Sequence, residues 1–223
     1  LCTIALVLSL TLVNWIGVSL GSAVQVFFTA LKLAAIGLIV VFALTLGGGS
    51  PANFLHNTSP LTANGTPVFL AFIIAMSGAF WAYDGWINVT YIAGEIKQAP
   101  RNLPKALAIS AVIYIVVYLL MNLAYFYVIP AGEMAAKYVA ADSSGQSYLV
   151  ATDVAAHIWR NGGGALIALA IMISTFGTVN GTLMMSARVY YAMARERLFF
   201  RRLSVVHPRF RTPGPSLVAQ CAW

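Results

Sequence analysis

Long apolar runs separated by short polar stretches set the pattern of the chain. Five runs, at about 1–18, 24–46, 67–93, 105–129 and 165–191, approach or exceed the roughly 20 residues needed to cross a bilayer's hydrocarbon core. A further run opens near residue 215. Backbone groups facing lipid must be satisfied within their own segment, so these runs are expected as helices rather than strands. Gly47-Gly48-Gly49, Pro67 and Pro130 punctuate them. Within the connector 131–164, apolar residues recur at helical spacing over Tyr148–Trp159, which predicts a short surface helix.

Composition removes the soluble alternative. Of 223 residues, 60% are hydrophobic and 9% charged, against about a quarter charged in an ordinary soluble domain. The net charge of +7 does not point to nucleic acid, because the basic residues lie between apolar runs and form no continuous face. Their distribution reports orientation instead. Segment 94–105 carries Lys97, Arg101 and Lys105 against Glu95, and 188–211 carries seven arginines against Glu196. Segment 47–66 has no charged side chain, and 131–164 has three acids against two bases. Positive charge stays on the cytosolic side, which places 94–105 and 188–214 inside and 47–66 and 131–164 outside. Asn57-Thr58-Ser59 and Asn64-Gly65-Thr66 match the glycosylation sequon on the outer side. Leu1 already stands inside an apolar run, and the chain reads as a segment of a longer polytopic protein.

Catalytic and metal chemistry find no foothold. Cys2 and Cys221 have no metal-binding spacing, and His56, His157 and His207 all lie outside the runs. No catalytic cluster of acids can be assembled within the runs, so no enzyme, metal or cofactor is expected.

Chemistry is expected where polar groups enter the apolar runs, since each is costly there. The third run reads Phe80-Trp81-Ala82-Tyr83-Asp84-Gly85-Trp86. A carboxylate and a helix-weakening glycine near mid-span predict a break that leaves the carbonyls of Phe80, Trp81 and Ala82 available to an ammonium group. Asp84 either binds the ammonium directly or caps the second half-helix, with Trp81 and Tyr83 as wall or lid. Lys32 lies about 12 Å into the second run at 1.5 Å per residue, too deep for easy snorkelling. Its ammonium would stand where a sodium-coupled protein holds a cation. The fifth run holds Thr178, Asn180 and Thr182. Either threonine could supply an oxygen facing Lys32, or the small residues there simply allow close packing, and Asn180 makes an interhelical hydrogen bond in both cases. Glu95 with Arg101 or Lys105 would latch a cytosolic gate, or form an ordinary membrane-edge turn.

These stretches resemble the amino acid–polyamine–organocation superfamily, most closely its L-type amino acid transporter branch. The likeness is carried by Phe80–Trp86, Gly94-Glu95, Pro100–Pro104, Asn122–Phe126, Phe176–Gly181 and His207–Pro213, in that order. It implies an all-α membrane fold built on a five-plus-five inverted repeat, with this chain covering the fourth helix to the start of the ninth. It also implies that substrate amino groups rest on the unwound sixth helix at Trp81, Ala82 and Asp84, with Trp81 at the aromatic gate. The family's fifth-helix lysine corresponds to Lys32, which implies sodium-independent transport. The first and tenth helices, which complete the site in the family, lie outside the chain. The family's cysteine link to a glycoprotein also falls upstream, which leaves an accessory subunit open.

The expected function is exchange of neutral L-amino acids across the cytoplasmic membrane by alternating access. No surplus carboxylate beyond Asp84 lies in any run, which leaves a second positive charge on the substrate without a partner. A cationic amino acid or polyamine transporter of the same fold, and an amino acid sensor that binds without moving its ligand, are the alternatives.

Overall fold

A computed structural model describes residues 2–55, 67–159 and 162–222; His56 and both sequons lie outside them. Helices α1 (Cys2–Ile16) and α2 (Val18–Leu46) meet at Gly17. Helix α3 (Val68–Ala82) is followed by a turn and a 3₁₀-helix over Trp86–Glu95. Then come α4 (Ala99–Val128), α5 (Ala131–Ser143), α6 (Val150–Trp159), α7 (Gly163–Arg195) and α8 (Gly214–Ala222). No strand occurs among the described residues.

Four segments are long and apolar enough to cross a membrane: Val18–Leu46, Val68–Glu95, Ala99–Val128 and Gly163–Arg195. The sequence suggests five; α1 is apolar but has 15 residues. Helix α3 buries none of its residues, and exposes Phe69, Phe72 and Ile74 alike. A helix apolar on all sides belongs in lipid or among other helices. The chain is a multi-pass membrane protein.

Two element boundaries move relative to expectation. Helix α2 begins at Val18 rather than near 24, because Gly21 stays helical with its N–H on the Gly17 carbonyl at 3.1 Å. Helix α4 begins at Ala99 although two prolines follow. Pro100 falls in the first turn, where a missing N–H costs nothing, and the Gln98 carbonyl takes the N–H groups of Arg101 and Asn102. Pro104 does interrupt the ladder, since Pro100 O loses its donor. The predicted helix in 148–159 appears as α6. Helix α5 has no counterpart in the expected elements; Pro130 precedes it and Glu133 lies in its first turn.

The chain forms two compact units. One comprises 1–33, 86–108 and 171–223, and the other 34–85 and 109–170. The first holds eleven of the thirteen lysines and arginines and two of the six acids; the second holds the remaining two bases and four acids. The charge asymmetry read from the loops is thus also an asymmetry between packed units.

The second unit packs Val40 and Ala43 of α2 against Ala124 and Val128 of α4, Ile129, and Val154 of α6. Ala43, Ala124, Val154 and Ala155 are fully buried, and three small side chains among these four let the backbones approach closely. On its surface Asp153 joins α5 to α6: it accepts hydrogen bonds from Lys137 Nζ at 2.8 Å and Tyr148 Oη at 2.7 Å. Lys137 also pairs with Glu133 at 2.8 Å. Burial by itself would raise the Asp153 pKa, but the hydrogen bonds from Lys137 and Tyr148 outweigh it and hold the carboxyl below its ordinary value. Lys137 moves up, chiefly through its hydrogen bond to Asp153.

The signs fix a pH window. A depressed carboxyl stabilises the fold above its unfolded pKa, about 4, and loses that contribution as pH falls through the lower folded value. The raised lysine loses its share only at strongly alkaline pH. Amide protection across 131–159, taken as the ratio of the intrinsic to the observed exchange rate at each pH, should therefore be flat around neutrality and fall in acid below about pH 4. Asp153→Asn should remove most of that acid dependence; an unchanged profile in the variant would assign it elsewhere.

Candidate functional site

The apolar α3 ends at Ala82, and the residues after it do not continue the helix. Tyr83 donates its N–H to the carbonyls of Ala79 and Phe80, both at 3.2 Å, and Asp84 donates to Trp81 O at 3.2 Å. Gly85 then takes φ +89°, a conformation L-residues avoid. The chain resumes as the 3₁₀-helix from Trp86. The break expected from Asp84-Gly85 is therefore present, spanning Tyr83–Gly85.

Its hydrogen bonding differs in one respect from expectation. The Ala82 carbonyl is not free, because Tyr118 of α4 donates its hydroxyl to it at 2.7 Å. The Tyr83 and Tyr118 rings meet edge-on at 5.1 Å, which fixes that phenol. The carbonyls of Phe80 and Trp81 each accept a turn-type N–H and keep a second lone pair. Asp84 does not cap the following helix: its side chain is exposed and makes no hydrogen bond among the described residues. Trp81 is 83% exposed and Phe80 69%. A carboxylate with no partner among the described residues, two half-used carbonyls and an exposed indole thus fall around one interruption.

The other candidates fall in the first unit. Lys32 is half-buried on α2 and has no hydrogen bond or ion pair among the described residues. One turn before it, Phe28 stacks on Phe176 of α7 with centroids 4.4 Å apart. Thr178 and Thr182 return their hydroxyls to their own helix, on Ser174 O at 2.9 Å and Thr178 O at 3.0 Å. Both line a cavity of about 430 Å³ with Thr3, Val7, Gln220 and Cys221, and Lys32 is not on its wall. Among the described residues, neither threonine hydroxyl is hydrogen-bonded to Lys32.

Asn180 makes the interhelical contacts its position suggests. Its Nδ2 donates to Gly21 O at 3.1 Å and Gln25 Oε1 at 3.0 Å, and its Oδ1 accepts from Asn14 Nδ2 at 2.9 Å. Asn14 and Gln25 escape a reading of the sequence because each looks like an isolated tolerated amide. Gly21 completes the arrangement: a Cβ there would overlap the Asn14 side-chain oxygen. In membrane helices such bonds average about 0.6 kcal/mol each, so three are worth about 2 kcal/mol. Asn180→Leu should lower the unfolding free energy by about that amount and strand three polar partners. Melting of the full-length protein in detergent would show it; an unchanged midpoint would mean the network is dispensable.

Glu95 has a different partner from the one its neighbours suggest. Arg101 lies exposed in the first turn of α4, and Glu95 instead binds Arg188 of α7. Nε donates to Oε1 at 2.8 Å and Nη2 to Oε2 at 3.1 Å, a two-pronged fork, while Nη1 donates to the Met184 carbonyl. Arg188 is only 8% exposed in its side chain. The signal available in sequence is its depth, seven residues before Arg195 within the fifth run.

An apolar multi-helix membrane chain with an interrupted helix has an architecture that secondary transporters also use. The sequence matches the amino acid permease family over residues 1–222, and the chain belongs to that family, in the amino acid–polyamine–organocation superfamily. It is 33% identical over 215 residues, 96% of its length, to the b(0,+)-type amino acid transporter 1 of Mus musculus. It is 33% identical over 97% of its length to the serine/threonine exchanger SteT of Bacillus subtilis (strain 168). Against the large neutral amino acids transporter small subunit 2 of Mus musculus it is 31% identical over 96%. The alignments cover 41%, 46% and 38% of those relatives, so the chain spans less than half their length.

Proposed function

We propose that the protein carrying this chain is a sodium-independent exchanger of neutral L-amino acids in the plasma membrane, working by alternating access around Tyr83–Gly85. The observation that carries this reading is the interruption itself, with exposed Trp81 beside the remaining lone pairs of Phe80 O and Trp81 O. These carbonyls accept the substrate ammonium, Asp84 supplies a long-range counter-charge, and Trp81 closes over the ligand. Phe80, Ala82 and Tyr83 shape the backbone that presents them, with Tyr118 bracing Ala82. Lys32 provides a fixed cation in place of sodium, and Thr178 and Thr182 serve packing around the adjacent cavity. The Glu95–Arg188 fork holds the cytosolic end, with Arg101 at the membrane edge. Relatives named as a serine/threonine exchanger and as a large neutral amino acids transporter subunit support the exchange mode and the substrate class.

A second reading rests on Asp84, whose carboxylate is uncommitted and would serve a substrate bearing an extra positive charge. Counterflow by the full-length protein in liposomes separates the two. Leucine or serine should exchange without sodium, and excess arginine or putrescine should compete weakly. Trp81→Ala should reduce counterflow about tenfold, the value of an indole face covering the ammonium that the carbonyls hold. Strong competition by arginine would favour the cationic reading, and retained binding without flux a sensor.

A further inference from the structure

The first unit contains a second cavity, of about 310 Å³, between the 3₁₀-helix Trp86–Glu95, the last two turns of α7 and the loop before α8. Its wall carries Arg188, Arg195 and Arg211 against a single acid, Glu95. Both Glu95 oxygens are already taken by Arg188, which leaves Arg195 and Arg211 unneutralised. Neither has an ion-pair partner among the described residues. Tyr91 and Tyr191 also line the cavity, and their hydroxyls have no hydrogen bond among the described residues. Arg195 is steered by Tyr191, its guanidinium 5.9 Å from the ring centroid.

Arg211 is placed at a cost. Its φ of +54° is the left-handed region, strained for a residue with a Cβ. Neighbours on both sides lock it there: its N–H binds His207 O at 2.9 Å, and Thr212 O accepts the His207 N–H at 2.8 Å. Thr212 is fully buried, with its hydroxyl on the Trp15 carbonyl at 2.8 Å. A glycine would hold this turn with less strain, yet the position carries an arginine that lines the cavity.

Arg195 and Arg211, without an ion-pair partner among the described residues, and Tyr91 and Tyr191 line one concavity and supply the charge and the donor types that a phosphate group takes, including bidentate hydrogen bonds from arginine. We propose that this cavity is a phosphate-binding site, distinct from the Trp81–Gly85 break, that takes a phosphomonoester from the cytosol or the headgroup of an anionic lipid. The exposed Leu198, Phe199 and Phe200, which follow Arg195 and Arg197, suit the second source by offering an apolar surface beside the headgroup.

The test uses the full-length protein without amino acid substrate. Thermal stability is titrated with inorganic phosphate and glycerol 3-phosphate in detergent. In parallel it is measured in phosphatidylcholine nanodiscs with and without phosphatidate. Arg195→Gln and Arg211→Gly are the variants; the second also relieves backbone strain, so loss of its response cannot be blamed on misfolding. Stabilisation by the soluble phosphates, weakened at least about tenfold in each variant, would establish the site with a cytosolic ligand. Stabilisation by phosphatidate alone, again lost in both variants, would establish it with a lipid. A response equalled by chloride at matched ionic strength, a response kept in both variants, or none in either arm would overturn the proposal.

Discussion

Gly85→Ala is expected to abolish most exchange while leaving the protein folded. Gly85 adopts φ +89°, and an L-residue forced into a left-handed conformation costs roughly 1–2 kcal/mol. The same substitution favours a continuous helix by about 1 kcal/mol, the propensity gap between glycine and alanine. Both contributions act in one direction, so the balance between broken and unbroken helix moves by about 2–3 kcal/mol, or roughly 30- to 150-fold. In the unbroken form Ala82 O would accept the Trp86 N–H, and the Tyr118 hydroxyl would lose its place there. The carbonyls proposed to receive the substrate ammonium would turn back into the helix. Gly78→Ala is the control: it lies seven residues earlier in α3, where an added Cβ would meet only open space, and should leave exchange unchanged. Counterflow within twofold of the parent in Gly85→Ala would show that the break is not needed for transport.

What the sequence shows and what it hides divide along local and non-local chemistry. Asp84-Gly85 inside an apolar run announces a helix interruption because both residues act on their own backbone. Helix length, the basic segments and the short helix α6 are legible for the same reason. Tyr118 is not, because it lies 36 residues from Ala82 within a run of apolar positions, where a tyrosine looks like one more lipid-facing ring. The partner of Glu95 is hidden more deeply. Arg101 and Lys105 are near in sequence, whereas Arg188 is 93 positions away and comes within reach only when α7 packs beside the Trp86–Glu95 segment. The same holds for Asn14, Gln25 and Asn180, three amides with no pattern in common until the folded helices bring them together. Thr178 and Thr182 show the converse: their spacing of four puts them on one helix face, but periodicity does not say which neighbour that face meets. It meets the cavity with α1 and α8.

Removing Glu95 is expected to cost more than removing Arg188, although the two form one pair. Arg188 is 8% exposed and Glu95 37%, so the two survive the loss of a partner differently. In Glu95→Ala the guanidinium keeps only its bond to Met184 O and stays buried with an unpaired charge. Stranding a buried ion costs about 3–5 kcal/mol, and water admitted through the half-open Glu95 position lowers this to about 2–3 kcal/mol. In Arg188→Met the apolar stem is largely replaced, and the carboxylate left behind can rehydrate where it stands, at a cost of about 1 kcal/mol. The double variant should then be more stable than Glu95→Ala alone, because it removes the stranded charge. Melting midpoints of the four proteins in detergent at neutral pH give the order directly. If Arg188→Met proves the worst, or if the double variant merely adds the two losses, the fork is not a coupled pair and the latch assigned to it fails.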